Sequence, residues 1–106
     1  MKTLYVFDSS VYYVTKLMSS FVNKKDINFS FISMDNNLKD KEIIYIVNDT
    51  NDFIEYLVVR ENCKKIHLVI TNVFLVKKLS LIKAFDFYTY DQFEKYLATK
   101  NEVKLV

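Results

Sequence analysis

The 106-residue chain contains neither glycine nor proline. Without a residue lacking Cβ, the backbone cannot close around a phosphate or nucleophile in the usual ways. A Walker loop, a dinucleotide-binding glycine fingerprint and a glycine-flanked nucleophile elbow are therefore excluded. A single cysteine, Cys63, forbids an internal disulfide and fits a reducing compartment. With one histidine beside it, a structural zinc site of the usual kind cannot be assembled. No basic-then-apolar leader opens the sequence, and no apolar run approaches the ~20 residues of a membrane span. A cytoplasmic protein without a membrane partner is expected. The net charge of +2 is too small to argue for nucleic acid by itself.

What is present reads as one globular domain, residues 1–106. Hydrophobic residues make up 51% and charged residues 26%, which is ordinary composition for a chain able to bury a core without disulfides or metal. Lysine outnumbers arginine fourteen to one, and Asn, Ile, Phe and Tyr are abundant. That bias suits an AT-rich genome, such as that of a phage, a mobile element or an AT-rich microbe, and has no bearing on mechanism.

The periodicities alternate. Residues 3–8 form a buried strand that runs into Asp8, Ser9 and Ser10. Residues 10–22 place Val11, Val14, Leu17, Met18, Phe21 and Val22 near one helical face, with Asp8, Ser9 or Ser10 available as the cap. Ile27 to Ile32 alternates as a half-exposed strand nearer an edge, and Glu42 to Val47 is a second buried strand. The connection between these two is too short for an ordinary helical crossover, so they are either antiparallel or joined by a lean crossover. A helix over 53–62 is expected to bury Ile54, Leu57 and Val58 behind an Asp52/Glu55 capping box. A strand over 66–70 ends at Thr71-Asn72, and a short apolar helix over 73–82 carries Lys77 and Lys78 outward. A last strand over 85–88 leads to a helix opened by an Asp91/Glu94 box and burying Phe93, Tyr96 and Leu97. This order predicts an α/β fold, a three-layer sandwich around a mainly parallel five-stranded sheet.

With the strands parallel, Asp8, Asp35, Asp49, Asp52 and Asp91 all follow carboxyl ends, whereas Lys24, Lys25, Lys64 and Lys65 precede amino ends. A rim of carboxylates is what a Mg- or Mn-dependent phosphodiesterase needs, because hard cations take oxygen ligands. The competing reading is that aspartate before a helix is simply a good cap. Ser9 and Ser10 at a helix amino terminus, with Thr71 and Asn72, are candidate anion or substrate contacts. His67, four residues from Cys63, reads as a half-buried structural histidine rather than half of a catalytic dyad. The surplus of Tyr and Phe, such as Tyr12, Tyr13 and Tyr88, points to a partner or homodimer surface, or to packing alone.

Two resemblances follow from these residues. The opening Leu4-Tyr5-Val6-Phe7-Asp8-Ser9-Ser10-Val11 resembles that of PIN-domain nucleases, in which a strand ends in a metal-binding aspartate followed by small polar residues. The second half, from Asn48-Asp49-Thr50-Asn51-Asp52 through Leu68-Val69-Ile70-Thr71-Asn72 to the closing helix, looks like the NYN branch of that superfamily. The resemblance implies Asp8 and Asp52 as catalytic residues and Asp8, Asp35, Asp49 and Asp52 as ligands to Mg or Mn. Asn51 and Val73 stand where acids belong in that pattern, so it implies an eroded site: an RNA-associated domain with weak or no nuclease activity. The first and last strand–helix units also look like a response-regulator receiver, with Thr71 at the switch hydroxyl and Asp49 near the phosphorylated acid. That resemblance implies a non-enzymatic module that binds a protein, for instance a host protein.

Overall fold

The computed structural model describes residues 2–32 and 37–105, with side chains through Thr99. Five strands, β1 (Lys2–Asp8), β2 (Ile27–Phe31), β3 (Glu42–Val47), β4 (Lys65–Ile70) and β5 (Tyr88–Thr89), alternate with four helices. These are α1 (Tyr12–Ser20), α2 (Thr50–Val59, continued by a 3-10 turn at Arg60–Asn62), α3 (Val73–Ile82) and α4 (Tyr90–Leu105). Every strand pair is parallel and the order is β2-β1-β3-β4-β5. The molecule is a three-layer α/β/α sandwich of the Rossmann-like kind.

The side-chain period of two divides β3 between two cores. Ile44 and Ile46 join Leu4, Val6, Val14, Leu17, Phe93 and Leu97 under α1 and α4. Ile43, Tyr45 and Val47 join Phe7, Tyr56, Val59, Leu68, Leu75 and Leu79 under α2 and α3. A strand buried on both sides reads as a continuous apolar run, and Glu-Ile-Ile-Tyr-Ile-Val is one. Phe93 is fully inaccessible and anchors α4, worth about 3 kcal/mol of transfer free energy at most.

The open question about β2 and β3 has a topological answer. They are not neighbours: both flank β1, one on each side. The chain passes from one edge to the centre in ten residues, and among the described ones Leu38 is buried while Lys39 and Asp40 form a turn. The sheet is thus parallel throughout.

Three expectations about helices need correction. In α1 and its flanking residues, Val14, Leu17 and Phe21 are buried, but Val11, Met18 and Val22 face solvent. In α2 the buried residues are Tyr56 and Val59, whereas Ile54 and Val58 are exposed. The helix begins three residues earlier than periodicity indicated, capped by Asp49, and the stripe that anchors it is Tyr56 and Val59. In α4 the capping box lies two residues upstream: Gln92 N donates to Thr89 Oγ1 and Thr89 N to Gln92 Oε1. β5 shrinks accordingly to Tyr88–Thr89, two residues paired with Val69 and Ile70.

With no glycine available, two ordinary residues among those described take left-handed backbone. Lys83 (φ 57°) closes α3, and Val11 (φ 65°) precedes α1. A β-branched residue there costs ~1–2 kcal/mol, so the turn after β1 must be held by something else.

Candidate functional site at the carboxyl edge

What holds it is Asp8. At the end of β1 its Oδ2 accepts from the backbone N–H of Tyr13 (2.9 Å) and Val14 (3.0 Å). Its Oδ1 accepts from Ser10 N (3.0 Å), Ser10 Oγ (2.9 Å) and Asn48 Nδ2 (2.9 Å). A carboxylate offers about four lone-pair sites, and here five donors converge on them. Asp8 thus caps α1 from outside the helix, in place of Val11, which has no side-chain oxygen to offer.

Asp52 is engaged in the same way. Its Oδ2 accepts from Ser9 Oγ (3.0 Å) and Asn48 N (2.8 Å). Asp49 is the N-cap of α2, its Oδ1 accepting from Asp52 N at 2.8 Å. The two acids reproduce a capping box in which the second carboxylate reaches one residue further back than usual. Both sit where the positive end of the α2 dipole favours them.

Asn48, at the end of β3, is the hub. Its amide donates to Asp8 and, more weakly, to Ser9 Oγ (3.4 Å), while its Oδ1 accepts from Thr71 Oγ1 at 2.7 Å. Its carbonyl accepts from Asn72 Nδ2 at 3.4 Å. Asn72 in turn caps α3, its Oδ1 accepting from Phe74 N and Leu75 N. One side chain therefore ties the ends of β1, β3 and β4 together. The signal in the sequence is that Asn48 ends β3 as Asp8 ends β1; an amide among five polar residues did not stand out.

The structure thus brings Asp8, Ser9, Asp52, Thr71 and Asn72 into one network with Asn48, and places Asp49 at its border. Ser10 bonds Asp8 alone. Asp35 lies outside the described residues. Asp91 sits apart, in the first turn of α4, beside a cavity of about 390 Å³ that Tyr13, Lys16, Thr71, Lys77 and Tyr90 also line. A smaller cavity of about 180 Å³ lies between Phe7, Phe31, Tyr45 and the acids Asp8, Asp52 and Glu55. It is below the ~300 Å³ at which small-molecule pockets begin. Tyr45 donates to Glu55 at 2.6 Å, and burial together with that carboxylate pushes the phenol far above its ordinary range. Tyr45 is therefore held protonated, as the donor to Glu55.

A hard cation needs carboxylate lone pairs that face one another across an open position. At this edge those of Asp8 are taken by N–H and O–H donors, a donor set that fits helix capping and not a metal. Among the described residues no three Asp, Glu, His or Cys side chains are grouped so as to hold a metal ion.

Charge at the opposite, amino edge is also paired. Glu42 accepts Lys2 (2.9 Å) and meets His67 (2.7 Å). Burial alone would raise its pKa, but the hydrogen bonds and charges of His67 and Lys2 overcome that and bring it down to about 2. Cys63 Sγ donates to Val59 O, so His67 and Cys63 turn to different partners. The structural reading of the histidine fits this geometry. Among the described residues no helix is long and apolar enough to cross a membrane.

Compared with family models, curated proteins and solved structures, the chain matches none.

Proposed function

We propose that this chain is a non-catalytic protein-interaction module whose carboxyl-edge acids maintain the scaffold. The observation that carries this reading is the saturation of Asp8: five donors on two oxygens leave nothing for a cation or a proton shuttle. The strand order supports it, since β2-β1-β3-β4-β5 is the doubly wound order of the flavodoxin type, shared by receiver-like scaffolds. Fold and function are separable, so the order supports the scaffold and the occupied acids support the absence of chemistry. Surface points the same way: apolar side chains on α2 and α3 face solvent, as they do at docking sites.

The second reading, an RNA-associated PIN/NYN-like domain with an eroded Mg or Mn site, has one observation in its favour. In this strand order ligands bind where the order reverses, between β1 and β3, and Asp8, Ser9, Asn48 and Asp52 converge there. The experiment that separates the two is incubation of purified protein with Mn²⁺ and single-stranded RNA. The interaction-module reading predicts no cleavage above the buffer rate. Cleavage that vanishes in a folded Asp8→Asn variant would establish the nuclease instead.

A further inference from the structure

α3, Val-Phe-Leu-Val-Lys-Lys-Leu-Ser-Leu-Ile, is apolar on nearly every side. A helix of that kind is ordinarily buried all round. Here only Leu75 and Leu79 are buried, while Val73, Phe74, Leu81 and Ile82 stand 63%, 75%, 84% and 61% exposed. Its neighbour on the same sheet face, α2, shows Ile54 and Val58 at 56% and 64%. These two helices carry six of the eleven large hydrophobics exposed among the described residues. α4 offers the contrast: among its described side chains the exposed ones are Asp91, Gln92, Lys95 and Thr99.

The two apolar stripes differ in charge. α3 has no acid and carries Lys77 and Lys78, with Lys83 just beyond its end. On α2 and the turn that follows, the exposed charges are Glu55 and Glu61. Both helices return between parallel strands and therefore run in the same direction. A two-fold axis lying along the helices, in the plane of this face, would lay α2 of one copy on α3 of the other, twice over, acidic helix against basic. The alternative two-fold, α3 upon α3, would face lysine with lysine.

We propose that the chain forms an isologous homodimer through this α2–α3 face, acidic-apolar α2 docking on basic-apolar α3 of the second copy. The complementary surface is supplied by the chain itself, and a closed two-fold leaves neither stripe exposed. This deepens the interaction-module reading and rests on it, naming the partner as a second copy.

The test is sedimentation velocity on the full chain over a range of concentrations, with circular dichroism as the check on folding. A species of twice the 12.7 kDa chain mass is expected, with a dissociation constant raised about tenfold or more by Leu81→Asp and by Phe74→Ser. Lys77→Glu combined with Lys78→Glu, which makes the α3 stripe acidic like α2, should weaken the dimer as well. A monomer at every concentration overturns the proposal. So does a dimer indifferent to Leu81→Asp and Phe74→Ser, or one that the folded Lys77→Glu/Lys78→Glu variant does not weaken. A monomer that binds vesicles of anionic phospholipid through Lys77 and Lys78 would reassign the face to a lipid surface. None of these outcomes bears on RNA cleavage, so the dimer and the non-catalytic edge fail separately.

Discussion

The carboxyl edge of the sheet and the outer face of α2 and α3 are two places where this small domain departs from a plain surface. They do so in opposite senses. The edge is rich in chemistry-bearing groups, yet Asp8, Asp49, Asp52, Asn48 and Asn72 all close hydrogen bonds inside the protein. The face carries nothing reactive, yet Phe74 and Leu81 stand largely exposed. The difference teaches that the kind of residue at a site is a poor guide to function until its partners are counted. A glycine-free chain sharpens the point. Val11 sits in a conformation that glycine would adopt freely, and an aspartate three residues earlier supplies the hydrogen bonds that hold the turn.

Substitutions on the two regions should therefore dissociate stability from association. Asp8→Ala removes the external cap of α1 and the anchor of Asn48, and should cost about 2–3 kcal/mol of unfolding free energy in urea titrations. It should leave the oligomeric state of the folded fraction unchanged. Phe74→Ser should do the reverse, altering association while changing monomer stability by no more than about 0.5 kcal/mol, as exposed substitutions do. If Asp8→Ala were neutral in stability, the capping account of the edge would be broken.

A pH-confined effect belongs to the amino edge. Glu42 is held at about 2, below its ordinary 4.5, so its contribution to stability is fully present above pH 4.5 and disappears as pH falls toward 2. Glu42→Gln should lower stability at neutral pH and flatten the acid limb between those values in pH-dependent thermal melts. A parallel vertical shift of the whole curve would contradict the assignment to Glu42. The smallest effect is a gain. Val11→Gly should relieve the left-handed strain and, after glycine's extra chain entropy, raise stability by about 1 kcal/mol or less. A loss would mean that the Val11 side chain holds the turn, despite its exposure.

Much of the fold was legible because the physics there is local. Glu42–Val47 announces a strand buried on both faces, and the α3 boundaries, Val73–Ile82, follow from the cap Asn72. Strand order was not legible, since a short connection from β2 to β3 reads equally as a hairpin or as a passage past β1. Helix faces failed where aromatic anchoring chose the stripe: Asp49, not Asp52, caps α2, and Tyr56 with Val59 turns inward, which leaves Ile54 and Val58 exposed. At the edge, sequence identified Asp8, Ser9, Asp52, Thr71 and Asn72 but not their hub, Asn48. Nothing in residue type distinguishes a carboxylate that awaits a cation from one already bonded to N–H groups. That distinction is a matter of backbone geometry at Tyr13 and Val14.

The central claim, that the acids of the carboxyl edge are occupied from within, is tested most directly by titrating Mn²⁺ into isotope-labelled protein and following amide resonances. Paramagnetic broadening should be weak and spread over exposed acids, with Ser9, Ser10, Tyr13, Asn48 and Asp52 no more affected than the rest. Selective broadening of those five amides at low Mn²⁺, abolished by Asp8→Asn, would contradict it.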